Sequence, residues 1–315
     1  MRGELFRFFD VSASGYFVLL LTGFLFATAA GTAWARRIGQ DPDVVVDLGL
    51  AALLLGIIGG KLLHVLADGM LVDYVNMCLD PTKVNMKVER AVCATAQYDG
   101  VWDAAKGYCH PREADCLRWA KFWTPGYAYY GGLIFASVGS WFLLKRDRFP
   151  FWRAADMAGF AIPIGLGFGR MGCLLAGCCF GSPTGPGFMS LQFPPTSAAS
   201  KAQFELGLIK TQRMWSMPVH PTQILESAGS LAIAAFCLFY IHGRKKYDGH
   251  VFVWFIGLYA ALRFVLEFYR ADDRGSAGGL STSQLIGLGL VVAAYLVHRR
   301  LAPKGVMPSV APAAT

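Results

Sequence analysis

Seven apolar runs, each close to the roughly 20 residues a helix needs to cross a bilayer, constrain this chain more than any other feature. They fall at about 14–34, 46–67, 126–144, 154–172, 222–242, 250–268 and 281–298. No water is available in lipid to satisfy backbone amides, so such runs fold as helices. Composition agrees: only 16% of the 315 residues are charged, against about 25% in soluble domains, and mean hydropathy is +0.42. The expected fold is an all-α integral membrane protein of seven transmembrane helices, one domain over residues 1–301. The first run lacks a small-residue cleavage site and reads as a retained helix, not a signal peptide.

Charge placement sets the expected orientation. Arg36-Arg37 follow the first run, Lys145, Arg146, Arg148 and Arg153 surround the end of the third, Arg244-Lys245-Lys246 follow the fifth, and Arg299-Arg300 the seventh. Short basic loops stay on the cytoplasmic side, which puts the N-terminus outside and the C-terminus inside. The net charge of +8 is accounted for by these clusters, so nucleic acid is not an expected partner. Residues 302–315, with Pro303, Pro308 and Pro312 among small residues, read as a disordered cytoplasmic tail.

Two long segments then face outward. Residues 68–125 carry Cys78, Cys93, Cys109 and Cys116, which read as two disulfides of undetermined pairing in an oxidising compartment. A zinc site including His110 is the alternative. Residues 173–221 contain Gly181-Ser182-Pro183-Thr184-Gly185-Pro186-Gly187 and Phe193-Pro194-Pro195. Such turn-rich sequence predicts a small extracytoplasmic head of irregular and short β structure.

Polar groups inside apolar helices are costly and mark function. Tyr16 stands near the outer end of the first helix, as an interfacial anchor or a site residue. Lys61 and His64 share a face of the second, after Gly59-Gly60; Lys61 either snorkels or points inward. Tyr129-Tyr130-Gly131-Gly132 opens the third, where the glycines suggest close helix or ligand contact with Tyr130 aimed inward. His220, Gln223 and Glu226 recur at spacings of three along the fifth. Tyr259, Arg263 and Glu267 form a stripe on the sixth, followed by Arg270.

The fourth run ends in Gly169-Arg170-Met171-Gly172-Cys173-Leu174-Leu175-Ala176-Gly177-Cys178-Cys179-Phe180-Gly181. Glu226 should want a cation such as Arg170. Arg170 and Arg263, with Lys61, are expected to converge at the outer side, where two guanidinium forks match phosphate oxygens. The anion at that depth is a lipid head group. Cys173, Cys178 and Cys179 read as a loop disulfide, as packing residues or as a catalytic thiol. No metal ligands are assigned, and Cys237 reads as packing. There is no Walker loop, dinucleotide fingerprint or His-Glu-x-x-His helix, and no cofactor is expected.

In these residues the chain resembles the bacterial prolipoprotein diacylglyceryl transferases. The matching features, in order, are Tyr16 with Thr22-Gly23-Phe24, Gly59-Gly60-Lys61, Gly131-Gly132-Leu133-Ile134, Gly169-Arg170-x-Gly172 through Gly181, His220-Pro221-Thr222-Gln223 with Glu226, and Tyr259-x-x-x-Arg263 with Glu267-Phe268-x-Arg270. The resemblance implies an inner-membrane enzyme with its site toward the outer side. Its reaction would move diacylglyceryl from phosphatidylglycerol to the lipobox cysteine thiol of a preprolipoprotein signal peptide, releasing glycerol phosphate. It implies Arg170 and Arg263 on the phosphate, Tyr259 and Glu267 orienting Arg263, and Glu226 or Tyr130 in proton removal. Tyr16, Lys61, Gly131, Gly132, Gly181, His220, Gln223 and Arg270 would contact substrate or membrane lipid. The chain departs from better-known members in having Tyr130 where they carry a histidine considered a base, Cys173 and Cys178 where they carry Asn and Glu, and Leu225 for a Tyr. These departures bear on the base and the acceptor. Two further readings follow: a related transferase with another acceptor or anionic lipid donor, and a non-catalytic lipid-binding protein.

Overall fold

The computed structural model describes residues 4–8, 11–67, 70–86, 90–94, 98–121, 126–187, 189–270, 276–277 and 280–305. In chain order the elements are β1 (Glu4–Phe8), β2 (Val11–Ser14), α1 (Gly15–Arg37), α2 (Pro42–Ala67), α3 (Leu71–Leu79), α4 (Arg90–Cys93), β3 (Gly100–Asp103), β4 (Tyr108–Pro111), α5 (Tyr129–Arg146), α6 (Phe151–Ala176), α7 (Ala198–Glu205), α8 (Thr222–Ala235), α9 (His250–Glu267), β5 (Ser276–Ala277), β6 (Leu280–Ser281) and α10 (Thr282–Leu301). β1–β2, β3–β4 and β5–β6 are separate antiparallel pairs. A π-helical turn, Phe236–Ile241, extends α8.

Among the described residues six helices are long and apolar enough to cross a membrane: α1, α2, α6, α8 with its extension to Arg244, α9 and α10. The expected third span is present as the 18-residue α5 but is not among the six. Its Tyr129-Tyr130-Gly131-Gly132 start and Lys145-Arg146 end dilute its apolar content. The remaining helices outrun their expected limits by a turn or less, as fraying ends usually allow. α10 starts on a capping box, with Ser281 Oγ accepting from Gln284 N and Gln284 Oε1 accepting from Ser281 N. Of the expected tail, 302–304 form a single 3₁₀ turn and 306–315 lie outside the described residues.

The chain resolves into two compact units, residues 46–148 and the remainder. Within the 46–148 unit, α2 and α5 touch backbone to backbone. A Cβ on Gly59 would stand 2.5 Å from Gly131 O and from Phe135 Cβ, well inside van der Waals contact. Gly132 faces Gly56 in the same way, so the paired glycines serve helix packing. Tyr130 lies about 100° further round the helix and is 56% exposed; the inward placement expected for it is not observed. Lys61 is buried, its ammonium 5.3 Å from the Tyr127 ring centroid and 5.8 Å from that of Tyr74. It is therefore not a snorkelling lysine but the occupant of an aromatic recess. In the 68–125 segment the cysteines pair as Cys78–Cys116 and Cys93–Cys109. That excludes the zinc alternative: His110 Nδ1 instead meets Val84 O at 2.7 Å and its Nε2 lies 3.6 Å from Asp103.

In the other unit α6 packs against α1, α8 and α9. At the N-terminal ends of α6 and α9 the charges are mutually satisfied. Asp156, fully buried, accepts from Val251 N (2.9 Å) and pairs with Lys245 (3.2 Å). Asp248 pairs with Lys245 (2.8 Å) and Arg153 (3.2 Å). An acid from one helix thus caps the orphan amides of another. Segment 173–221 is irregular with isolated bridges, Pro183–Val219 and Leu191–Val219, around a small core of Phe193, Ala199 and Val219. It also contains α7, which the turn-rich sequence did not predict; Ser197 caps it by accepting from Ser200 N.

Candidate functional site

The site is built where α6 and α9 end and α8 begins. Pro221 ends the preceding extended segment, and the first turns of α8 bury Thr222, Gln223 and Glu226. Glu226, 1% exposed, is the hub. Its Oε2 lies 3.1 Å from Arg170 Nε, 3.3 Å from an Arg263 guanidinium nitrogen and 3.7 Å from one of Arg270. Its Oε1 accepts from the Tyr259 hydroxyl at 3.1 Å. Glu267 braces Arg263 from below by one turn, at 3.1 Å. Among the described residues, three guanidinium groups and two carboxylates thus meet in one cluster.

Glu226 pairs with Arg170, as the sequence led us to expect. Arg263 is braced by Glu267, as the resemblance implied, but Tyr259 is bonded to Glu226 and not to Arg263. The chemistry explains this, because a phenol donating its proton needs an acceptor and a guanidinium offers none. Arg270 joins the same carboxylate, giving it a central place. Lys61, Tyr130, Gly131 and Gly132 belong to the other unit, where α2 and α5 hold them.

The strand-like stretch after α6 closes one side. Gly177, at φ +70°, ends α6 in the left-handed conformation while Cys178 N bonds back to Cys173 O at 3.1 Å. Gly181 bridges to Arg270. A Cβ there would stand 2.5 Å from His220 O and 2.7 Å from Tyr269 O, so no larger residue fits. His220 stacks edge-on against Tyr269 at 5.1 Å. Gln223 Nε2 donates to Cys178 O (2.8 Å) and Thr222 Oγ1 to Cys179 O (3.1 Å). Gln223 Oε1 is buried with no donor among the described residues. Tyr16 crosses α6 at Gly172, where a Cβ would lie 2.9 Å from its ring.

Cys173, Cys178 and Cys179 are free thiols, not a disulfide, with their sulfurs all within 4.8 Å of one another. Cys179 sits at φ +58°, a left-handed conformation that costs a non-glycine residue on the order of 1–3 kcal/mol. A hydrogen bond with the Cys173 sulfur, with Arg170 and Arg270 beside it, lowers the Cys179 thiol from its usual range, while the Cys178 thiol donates to Cys173 O at 3.7 Å. The same hydrogen bonding keeps Cys178 protonated, well above that range. Among the described residues this is the one group of three sulfur, imidazole or carboxylate donors tight enough to surround an ion. Two adjacent residues and flanking guanidinium groups suit a cation poorly, and we assign none. The sequence singled out these cysteines but left them open between a loop disulfide, packing and a catalytic thiol; of these, the disulfide is not formed.

Fold and site together define a multi-pass membrane protein with a buried, cation-rich polar site. The sequence model for "LGT: Prolipoprotein diacylglyceryl transferase" matches residues 4–299. Among similar proteins are the phosphatidylglycerol–prolipoprotein diacylglyceryl transferases of Clostridium tetani, 26% identical over 94% of this chain and 96% of the relative, and of Dehalococcoides mccartyi, 33% identical over 56% and 62%. That of Corynebacterium diphtheriae is 25% identical over 92% and 90%. The chain belongs to the prolipoprotein diacylglyceryl transferase family.

Proposed function

We propose that this protein transfers the diacylglyceryl group of phosphatidylglycerol to the lipobox cysteine of preprolipoproteins and releases glycerol phosphate. The observation that carries the reading is the gathering of Arg170, Arg263 and Arg270 on Glu226, built into a membrane protein of this family. A phosphodiester brings a negative charge of the kind guanidinium groups bind. Arg170 and Arg263 present planar donors to its oxygens. They stabilise the second charge that develops as the carbon–oxygen bond breaks, in surroundings that hold little water. Glu226 has both oxygens engaged, so its part is to hold the arginines apart and aimed. Gln223, His220, Gly181 and Tyr16 shape the approach of substrate.

The basic loops support an N-terminus outside, a C-terminus inside and a site on the outer side of the bacterial inner membrane. In that arrangement α5 serves as the seventh span. Membrane lipid and the signal peptide of the acceptor are the partners.

The test is transfer of labelled lipid from phosphatidylglycerol vesicles to a lipobox peptide by the full chain. Thioether product is expected, and Arg170→Ala should reduce it by at least 100-fold, in line with loss of one charge-stabilising donor. Folded protein that binds the lipid yet releases no glycerol phosphate would support the non-catalytic reading instead.

A further inference from the structure

The segment between α6 and α8 is folded with its polarity reversed. Ser200, Gln203 and Ser216 are buried, while Phe204, Leu206, Leu208, Met214, Trp215 and Met217 are exposed, Leu206 to 70% and Trp215 to 57%. We propose that this apolar rim at the end of α7, with Lys210 and Arg213, is a docking surface for anionic lipid at the membrane interface. Such docking is independent of the transferase reaction, so its failure leaves that reading standing.

Hydrogen bonds build the reversal. Ser200 Oγ lies 3.0 Å from Gln212 O and 2.8 Å from Met214 O. Gln203 accepts twice, its backbone carbonyl from Leu208 N at 2.8 Å and its Oε1 from Met217 N at 2.7 Å. Ser216 Oγ accepts from Phe193 N at 2.8 Å. Polar side chains of α7 and the loop thus turn inward to hold backbone, and they draw residues 208–217 around the end of α7. The apolar side chains are left outside. Water favours the opposite arrangement, and exposed apolar patches of this kind mark contact with a membrane or a protein.

Position, composition and charge together fit a lipid surface. Ala199 of α7 shares its core with Leu174, in the last turn of α6, and with Val219, three residues before α8. α7 is therefore seated on the ends of two helices long and apolar enough to cross the membrane. Tryptophan and methionine beside lysine and arginine suit the head-group boundary, where an aromatic ring sits at the interface and long basic side chains reach phosphate. Residues 201–217 carry Lys201, Lys210 and Arg213 against one acid, Glu205. That balance complements anionic lipid over zwitterionic lipid. A protein partner would have to displace the lipid that α6 and α8 bring to the same surface.

The experiment reconstitutes the full chain in phosphatidylcholine vesicles with phosphatidylglycerol as a minor component. It reads the fluorescence of Trp215, as the difference between wild type and Trp215→Phe, while one lipid or the other carries bromine on its acyl chains. Trp215 is expected to be shielded from acrylamide and quenched by brominated lipid. Brominated phosphatidylglycerol should quench it about fivefold more than the same mole fraction of brominated phosphatidylcholine, the factor one basic residue near the surface supplies. The double variant Lys210→Gln, Arg213→Gln should abolish that preference without changing thermal unfolding. Leu206→Trp should add emission with the same lipid quenching. Trp215 or the added Trp open to acrylamide and untouched by brominated lipid would overturn the proposal. So would equal quenching of wild type by the two lipids, or lipid quenching lost on adding a lipobox peptide, which would assign the rim to the acceptor.

Discussion

The residue that decides the site is Glu226. A carboxylate 1% exposed, bonded to three arginines and a tyrosine, is worth little as a net pair but is expensive to break. Glu226→Leu takes from three guanidinium groups the carboxylate they share, and removing one partner of a buried pair costs about 3–5 kcal/mol. Thermal unfolding in detergent should show that loss. Glu226→Gln keeps the shape and the contact to Tyr259 while removing the charge, so it should unfold less readily than Leu yet still misplace Arg170. The sequence showed that Glu226 needed a cation. It could not show that Arg270, a hundred residues beyond Arg170, would share the same oxygen.

Elements meet where glycines remove the side chain between them. Gly131→Val should cost about 1–3 kcal/mol by overpacking, because its Cβ would enter Gly59 O and Leu63 Cβ. Gly165→Ala, in α6 with nothing within 4 Å of its Cβ, should be neutral or stabilise by about 0.5–1 kcal/mol through helix propensity. Comparing the two by denaturation distinguishes packing glycines from incidental ones. Helix existence was legible because apolar length is a local property. α7 escaped because eight residues capped by Ser197 sit in a segment dominated by proline and glycine. The inward Tyr130 failed because Gly131 and Gly132 took the packing face.

At the scale of the molecule, the disulfides belong to one compact unit and the arginine cluster to the other. Cys93→Ser opens a link spanning 16 residues, for which loop entropy predicts about 3 kcal/mol. Limited proteolysis should then cut within residues 90–121 and leave α7 intact, since α7 is covered by its own core of Phe193 and Val219. Sequence alone determined the membrane class, the helices and the intramembrane charges, because hydropathy and periodicity act over neighbouring residues. The family motifs were likewise written in short stretches. Only the tertiary structure decided that Glu226 gathers three arginines, that Tyr259 serves the acid and not Arg263, and that three free thiols gather at the end of α6. Those choices depend on where helices from distant parts of the chain cross, and no local pattern encodes a crossing.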